Sequence, residues 1–405
     1  MGGVEVPRGA RVRLGAVDGD LRVETNARLE ADGRIVVTGA ARFEGSAEVS
    51  GPFECGSLES DGGTLRFSDA VTVRHDLRGS DTTIEIGGAL VAHRVDVDRA
   101  LRIAGPATAE EFEVGGELDG RSTLTAERVR VGGKFALAGK LTARSVEAGG
   151  SVDLAALEID TLEVGGFVRI GEGAVRRSIE VGGRFVAEAP LKFGSLEVGG
   201  FAEFRECAEG AKMEVGGVLS ARKDLTFAAL EVGGVGTIEG NGRGESIEIG
   251  GRLDVRGALD LTGKLEVGGA ARLGGALTCR ELDIGGSLEA RRATVVGRVE
   301  VGGAISTQEG VKAARILLGR KSRARGPLVG GDIEIGRGGR AEELYGDDVT
   351  LGARAEAGRI FAKRVRIEDG AHADEVTYTE SIAMDRSAHL GRAPVKVESL
   401  PPFPL

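Results

Sequence analysis

Leu162-Glu163-Val164-Gly165-Gly166 returns as Ile179-Glu180-Val181-Gly182-Gly183, and again as Leu196-Glu197-Val198-Gly199-Gly200. The phrase recurs at Met213, Leu230, Ile247, Leu265, Leu282 and Val299, so its first glycine falls at 165, 182, 199, 216, 233, 250, 268, 285 and 302. The step is constant, save for a single insertion between 250 and 268. A fixed period of this kind marks a solenoid, in which one structural unit stacks on copies of itself.

Within a period, apolar and polar residues alternate as in a half-buried strand. Leu162 and Val164 flank Glu163, then Val168 and Ile170 flank Arg169. A third pair follows, as at Leu191/Phe193, Leu225/Phe227, Leu259/Leu261 and Leu277/Cys279. No helical spacing fits this frame. The expected fold is all-β: a single-stranded parallel β-helix, or β-solenoid, with triangular coils of about 17 residues. At about 4.8 Å per coil, roughly 22 coils give a rod about 105 Å long. The glycine doublets are expected at corners, in left-handed backbone conformations open to Gly. A narrow core agrees with the absence of Trp, the two Tyr and the 4% aromatic content.

The first full phrase is Ile84-Glu85-Ile86-Gly87-Gly88, and the next, at Phe112, lies well over one period further on. One coil between them is expected to be shortened or to carry an irregular corner. Residues 1–83 hold strand pairs with a looser period and turn signals such as Asp18-Gly19 and Asp61-Gly62-Gly63. They are read as irregular N-terminal coils of the same solenoid, 84–398 as the regular β-helix, and 399–405 as a Pro-rich tail that cannot pair as a strand. After Val299 the glycine pair fades, but the period continues through Ile316, Ile333, Val349, Val365 and Ile382.

Net charge is −10, with both signs spread along the chain, which argues for solubility and against nucleic acid as a partner. No apolar run approaches a transmembrane span. The start, Met1-Gly2-Gly3-Val4-Glu5-Val6, lacks a signal-peptide pattern, so a cytoplasmic protein is expected. Cys55, Cys207 and Cys279 are odd in number and far apart, and read as buried free thiols in a reducing compartment.

The most regular polar feature is the column Glu163, Glu180, Glu197, Glu214, Glu231, Glu248, Glu266, Asp283 and Glu300. Stacked one coil apart, neighbouring carboxylates repel by about 1 kcal/mol in water. The column is a stripe for cations or a basic protein partner, or a solvated face; if it governs lateral bundling, bundling should grow with salt or divalent cations. His372 and His389 are one period apart and stack beside Asp374, which makes them candidate metal ligands without a third partner in view. Gly240-Asn241-Gly242-Arg243-Gly244 lacks the Lys-Ser/Thr and helix of a phosphate loop and reads as a floppy corner. Arg315, Arg320, Lys321, Arg323 and Arg325 form a basic cluster suited to an acidic partner or to solvent. No catalytic constellation and no cofactor site stands out.

The apolar-Glu-Val-Gly-Gly strands repeated once per period, few aromatics and the Pro-containing tail resemble the bactofilins, a family of polymer-forming cytoskeletal proteins. The resemblance covers most of the chain and is strongest from Ile84 to Gly303. It implies a right-handed β-helix, a cytoplasmic location and nucleotide-free polymerisation. The chain departs from the family in having many more coils and almost no tails.

Three functions fit a β-solenoid. A scaffold protein would assemble with itself end to end through unpaired terminal strands, with contacts expected at Ile382 and Met384 and, in the tail, Phe403. An acyltransferase-like enzyme would show equal six-residue units, and a lyase-like one long loops and a concave site; neither pattern is present. An ice-binding rod needs flat Thr columns, which the sequence does not display.

Overall fold

The computed structural model describes residues 2–402, and every regular element among them is a β-strand. Strand pairing is parallel throughout, each strand bonding to its counterpart one period away. The chain divides into two compact units, Met1–Gly199 and Gly200–Leu405. In each, a coil has three walls. Wall A carries the Glu phrase, wall B follows it, and wall C closes the coil.

In the first unit, the wall A rungs begin at Val4, Leu21, Ala41, Leu58, Leu77, Val95, Phe112, Val129, Val146, Leu162, Ile179 and Leu196. The Ile84 phrase is not among them. Ile84 stacks between Leu65 and Leu101 on wall B, and the wall A rung of that coil is Leu77-Arg78-Gly79. The long gap from Ile84 to Phe112 is therefore no shortened coil. It is a change of wall, because apolar-charged-apolar before a corner describes both A and B. The looser period before Val95 comes from corners enlarged with positive-φ glycines such as Gly33, Gly45, Gly51, Gly62 and Gly63.

In the second unit, the rungs begin at Met213, Leu230, Ile247, Leu265, Leu282, Val299, Ile316, Ile333, Val349, Val365 and Ile382. Inward side chains fill a thin core of Leu, Val, Ile and Ala. Bulk is balanced between neighbouring coils: a Cβ on Gly120 would meet Leu137 at 2.5 Å, and one on Gly244 would meet the Phe227 ring at 2.3 Å. The Gly240–Gly244 stretch is accordingly not floppy. Residues 242–244 form a wall C strand between Leu225 and Leu259, and Asn241 staples the corner by accepting from the Ala258 amide at 2.9 Å and donating its own amide to Asp224 at 2.7 Å.

The paired glycines between walls A and B lack positive φ. Their requirement is close approach. A Cβ on Gly250 would lie 2.4 Å from the Gly233 carbonyl oxygen, and one on Gly233 would lie 2.4 Å from that of Gly216. The same corner amides donate along the axis, Gly250 to Val232 at 3.0 Å and Gly251 to Gly234 at 3.1 Å. The parallel ladder thus runs around the corner, and the stacked carbonyls occupy the place a side chain would need.

From Gly319 onward the corner changes. Gly336–Gly339, Gly352–Ala355 and Glu368–Ala371 are closed turns in which the fourth amide donates to the first carbonyl at 2.9, 2.9 and 3.1 Å. Their third residues, and Lys321 in the preceding turn, have positive φ: Lys321, Gly338, Arg354 and Gly370. The glycine doublet fades from the sequence because the corner is solved differently.

Gly250→Ala is expected to lower stability by about 1–3 kcal/mol through overpacking. Gly15→Ala, with open space around its Cβ and no positive φ, is expected to leave it unchanged or slightly raised. Urea unfolding midpoints compare the two. By the same measurement, Lys321→Gly should gain roughly 0.5–1 kcal/mol by relieving a left-handed non-glycine residue.

Candidate functional site

Two features set the outer surface apart: the edges of the first and last coils, and the charge carried by each outward column.

At the first edge, Val4–Val6 pairs with Leu21–Val23 and with no other strand among the described residues. Val4 is 36% exposed and Val12 is half-buried, whereas their counterparts Leu21 and Leu29 are fully buried. At the last edge, Ser381–Met384 pairs with Arg364–Ile367, and no described residue pairs above it. Met384 is 41% exposed, Val395 is 55% exposed and Ile382 and Leu390 are half-buried. Of the three contacts expected at this end, Ile382 and Met384 share the last rung of wall A; Phe403 lies outside the described residues. Each edge presents strand hydrogen-bonding groups together with apolar side chains.

On wall B of the first unit, the outward column alternates: Glu48, Arg66, Glu85, Arg102, Asp119. Arg66 Nε donates to Glu85 at 2.7 Å and Arg102 donates to the other oxygen at 3.1 Å. The hydrogen bond from Arg66 outweighs desolvation and holds the Glu85 carboxyl below its ordinary range. On wall A the logic is opposite. In the first unit Glu147, Glu163, Glu180 and Glu197 follow one another in register. In the second, Glu214, Glu231, Glu248, Glu266, Asp283 and Glu300 do so. Lys212, Lys264 and Arg298 pair with Glu214, Glu266 and Glu300, but Glu231, Glu248 and Asp283 have no ion pair to any described residue.

His372 and His389 are in register on adjacent wall B rungs. His372 Nε2 is 3.0 Å from Asp374, while His389 Nδ1 faces the Ser387 carbonyl at 2.8 Å. Among the described residues no group of three His, Cys, Asp or Glu is arranged to hold a metal. In the basic cluster, Arg315 pairs with Asp332 at 3.2 Å. Arg320, Lys321, Arg323 and Arg325 are exposed without an ion pair to a described residue. Arg337 and Arg354, on the next two turns, join them, an addition the regular repeat frame conceals because the corner type changes there.

Two expectations are corrected. Thr is columnar in one place: Thr72, Val91, Thr108, Thr125 and Thr142 stack outward on wall C, between Glu54 and Glu158. Such short strands leave only one outward position each, which hides the column in the linear sequence. And Cys207 is exposed, at the corner between Phe204 and Ala208, while Cys55 and Cys279 are buried.

No family model matches the chain, and no curated protein or solved structure matches it. No helix among the described residues is long and apolar enough to cross a membrane.

Burial pushes the Cys55 and Cys279 thiols up to about 12 from an ordinary 9.0. A thiol-labelling reagent should therefore modify Cys207 alone in the native chain and all three cysteines after unfolding. The raised values mean the folded state favours the protonated thiol. Stability from these groups is fully present below the unfolded value and is lost as pH rises from about 9 towards 12. Unfolding midpoints across this range check it: a decline just as steep in Cys55→Ala/Cys279→Ala would show that the buried thiols are not its cause.

Proposed function

We propose that the chain is a structural, polymer-forming scaffold protein of the bactofilin kind, working in the cytoplasm and assembling with itself end to end without nucleotide. The observation that carries the reading is the pair of open coil edges. An uncovered strand row that also exposes apolar side chains is a template for another chain. A second copy would extend both the ladder and the apolar columns, Val4 and Val6 meeting residues such as Ile382 and Met384. Burying one such side chain contributes roughly 1.5–3 kcal/mol. Several per edge, with the ladder hydrogen bonds, would offset the freedom lost on association. Such growth draws on burial alone and needs no hydrolysis step.

A β-helix enzyme is favoured by no specific observation. A depression of about 500 Å³ on wall B of the first unit is an open one. Its central charges, Arg66, Glu85 and Arg102, are bound to one another.

Purified chain should form filaments in nucleotide-free buffer, in a concentration-dependent way, as seen by negative-stain microscopy and pelleting. Met384→Lys should shorten them, and added below stoichiometry to wild type should terminate growth. A wild-type chain that stays unassembled at every concentration refutes the proposal.

A further inference from the structure

Four of the second unit's cations without an ion pair to a described residue lie on three successive turns: Arg320 and Lys321, then Arg337, then Arg354. Arg320 and Arg337 share the second turn position, so the strand spacing puts one coil, about 4.8 Å, between them, and Lys321 and Arg354 share the third position two coils apart. The unpaired acids Glu231 and Glu248 keep the same spacing on wall A. They border a shallow groove of about 140 Å³ floored by Ala229 and Ser246, with Lys212 and Lys264 at its two ends. Small floor residues leave the carboxylates accessible from outside. Within this chain most arginines sit in ion pairs one coil away, as Arg340 does with Glu356 at 3.0 Å and Arg364 with Asp348. Arg320 and Arg337 on the turns and Glu231 and Glu248 on wall A are thus pairs of opposite sign and equal spacing.

We infer that the turn cations Arg320, Arg337 and Arg354 of one copy dock against the groove edged by Glu231 and Glu248 on a second copy, forming a lateral contact. The occupant is a second copy rather than a nucleic acid because of the spacing. A carboxylate ladder repeats at one strand spacing, so guanidinium groups at that same spacing meet it rung for rung. A phosphate backbone has no reason to share that repeat. Arg also suits the partner, since its fork binds carboxylate in two hydrogen bonds. In an antiparallel pair the contact is made twice, each copy supplying one cation set and one groove. The contact gives the acidic column an occupant and is independent of end-to-end growth. It reverses the expected response to salt: complementary charges are screened, so lateral association weakens as monovalent salt rises.

The test reads particle width in micrographs and sedimentation of the full chain at about 50 mM and about 500 mM salt, where screening differs strongly. Wild type should be paired in width at low salt and single at high salt. Arg320→Glu/Arg337→Glu/Arg354→Glu should weaken pairing by roughly tenfold or more, as should Glu231→Arg/Glu248→Arg. Mixing the two variants should restore it, a result a misfolded chain cannot give. Pairing that strengthens with salt, that ignores both reversals, or that the mixture fails to restore overturns the inference. So does a wild type of single width at low salt, including one whose cations instead bind an oligonucleotide or phosphatidylglycerol vesicles. Failure of the end contacts would change particle length and leave width unaffected, so the two readings fail separately.

Discussion

Each coil must sit one strand spacing above the last at its corners as well as along its walls, and the rest of each unit follows from that. Along a wall the constraint is easily met, because parallel strands pair at about 4.8 Å whatever their side chains. At the A–B corner it is not. The carbonyl of each corner residue points along the stacking axis to where the next Cβ would stand, 2.4 Å away at Gly233 and Gly250. At these rungs only glycine satisfies the corner while its amide keeps the ladder going. The doublet is therefore a record of axial crowding, and its periodicity reports stacking more directly than the apolar residues do.

Once coils stack in register, like positions form columns, and charge must be managed by column. Two carboxylates one coil apart repel by roughly 1 kcal/mol in water, and an alternating pair gains about as much. Each wall A rung also buries two apolar side chains, worth roughly 3–5 kcal/mol together. Core burial therefore tolerates a like-charged column without unfolding it. Tolerance is not a reason for having one, however. On wall B of the first unit the sequence alternates sign, with Glu85 held between Arg66 and Arg102. The acidic run on wall A of the second unit, with Glu231, Glu248 and Asp283 lacking ion pairs to described residues, departs from that habit and makes this face a candidate for an outside contact.

The architecture is legible in the sequence because strand period and coil period are both written in residue order. What escapes are features that depend on which residues become neighbours. The Ile84 phrase matches wall A in composition, yet it lies on wall B, since local pattern says apolar-charged-apolar and nothing about which side of the coil it is on. The glycine doublets do stand at corners, but their cause is a carbonyl one coil below rather than backbone handedness. Gly242 and Gly244 resemble loop residues because the bulk they accommodate, Leu259 and Phe227, belongs to other coils. The Thr column on wall C and the exposure of Cys207 are likewise properties of the stack. The candidate surfaces are partly visible: the acidic column can be read from sequence, whereas the cations that complete its complement cannot, because Arg337 and Arg354 fall outside the linear basic cluster.

The change of corner after Leu318 bears on where the two charge sets lie. A flat glycine corner presents backbone alone, so in those coils only the outward wall position and the residues beside it can carry charge. Local neutralisation of the acidic column must then come from the flanking position, as it does at Lys212, Lys264 and Arg298. Where that position holds Ala229 or Ser246, no cation is close enough. A closed turn differs, because its second and third residues project outward and can both be basic, at the cost of left-handed backbone at Lys321 and Arg354. Arg320, Lys321, Arg337 and Arg354 lie in coils whose corners are turns, whereas Glu231 and Glu248 lie in coils with glycine corners. Within the second unit the groove at Glu231 and Glu248 and the basic turns therefore sit on different coils, stacked along one axis, and do not meet within one copy. The shared one-coil spacing makes another copy a partner whose charges fit both.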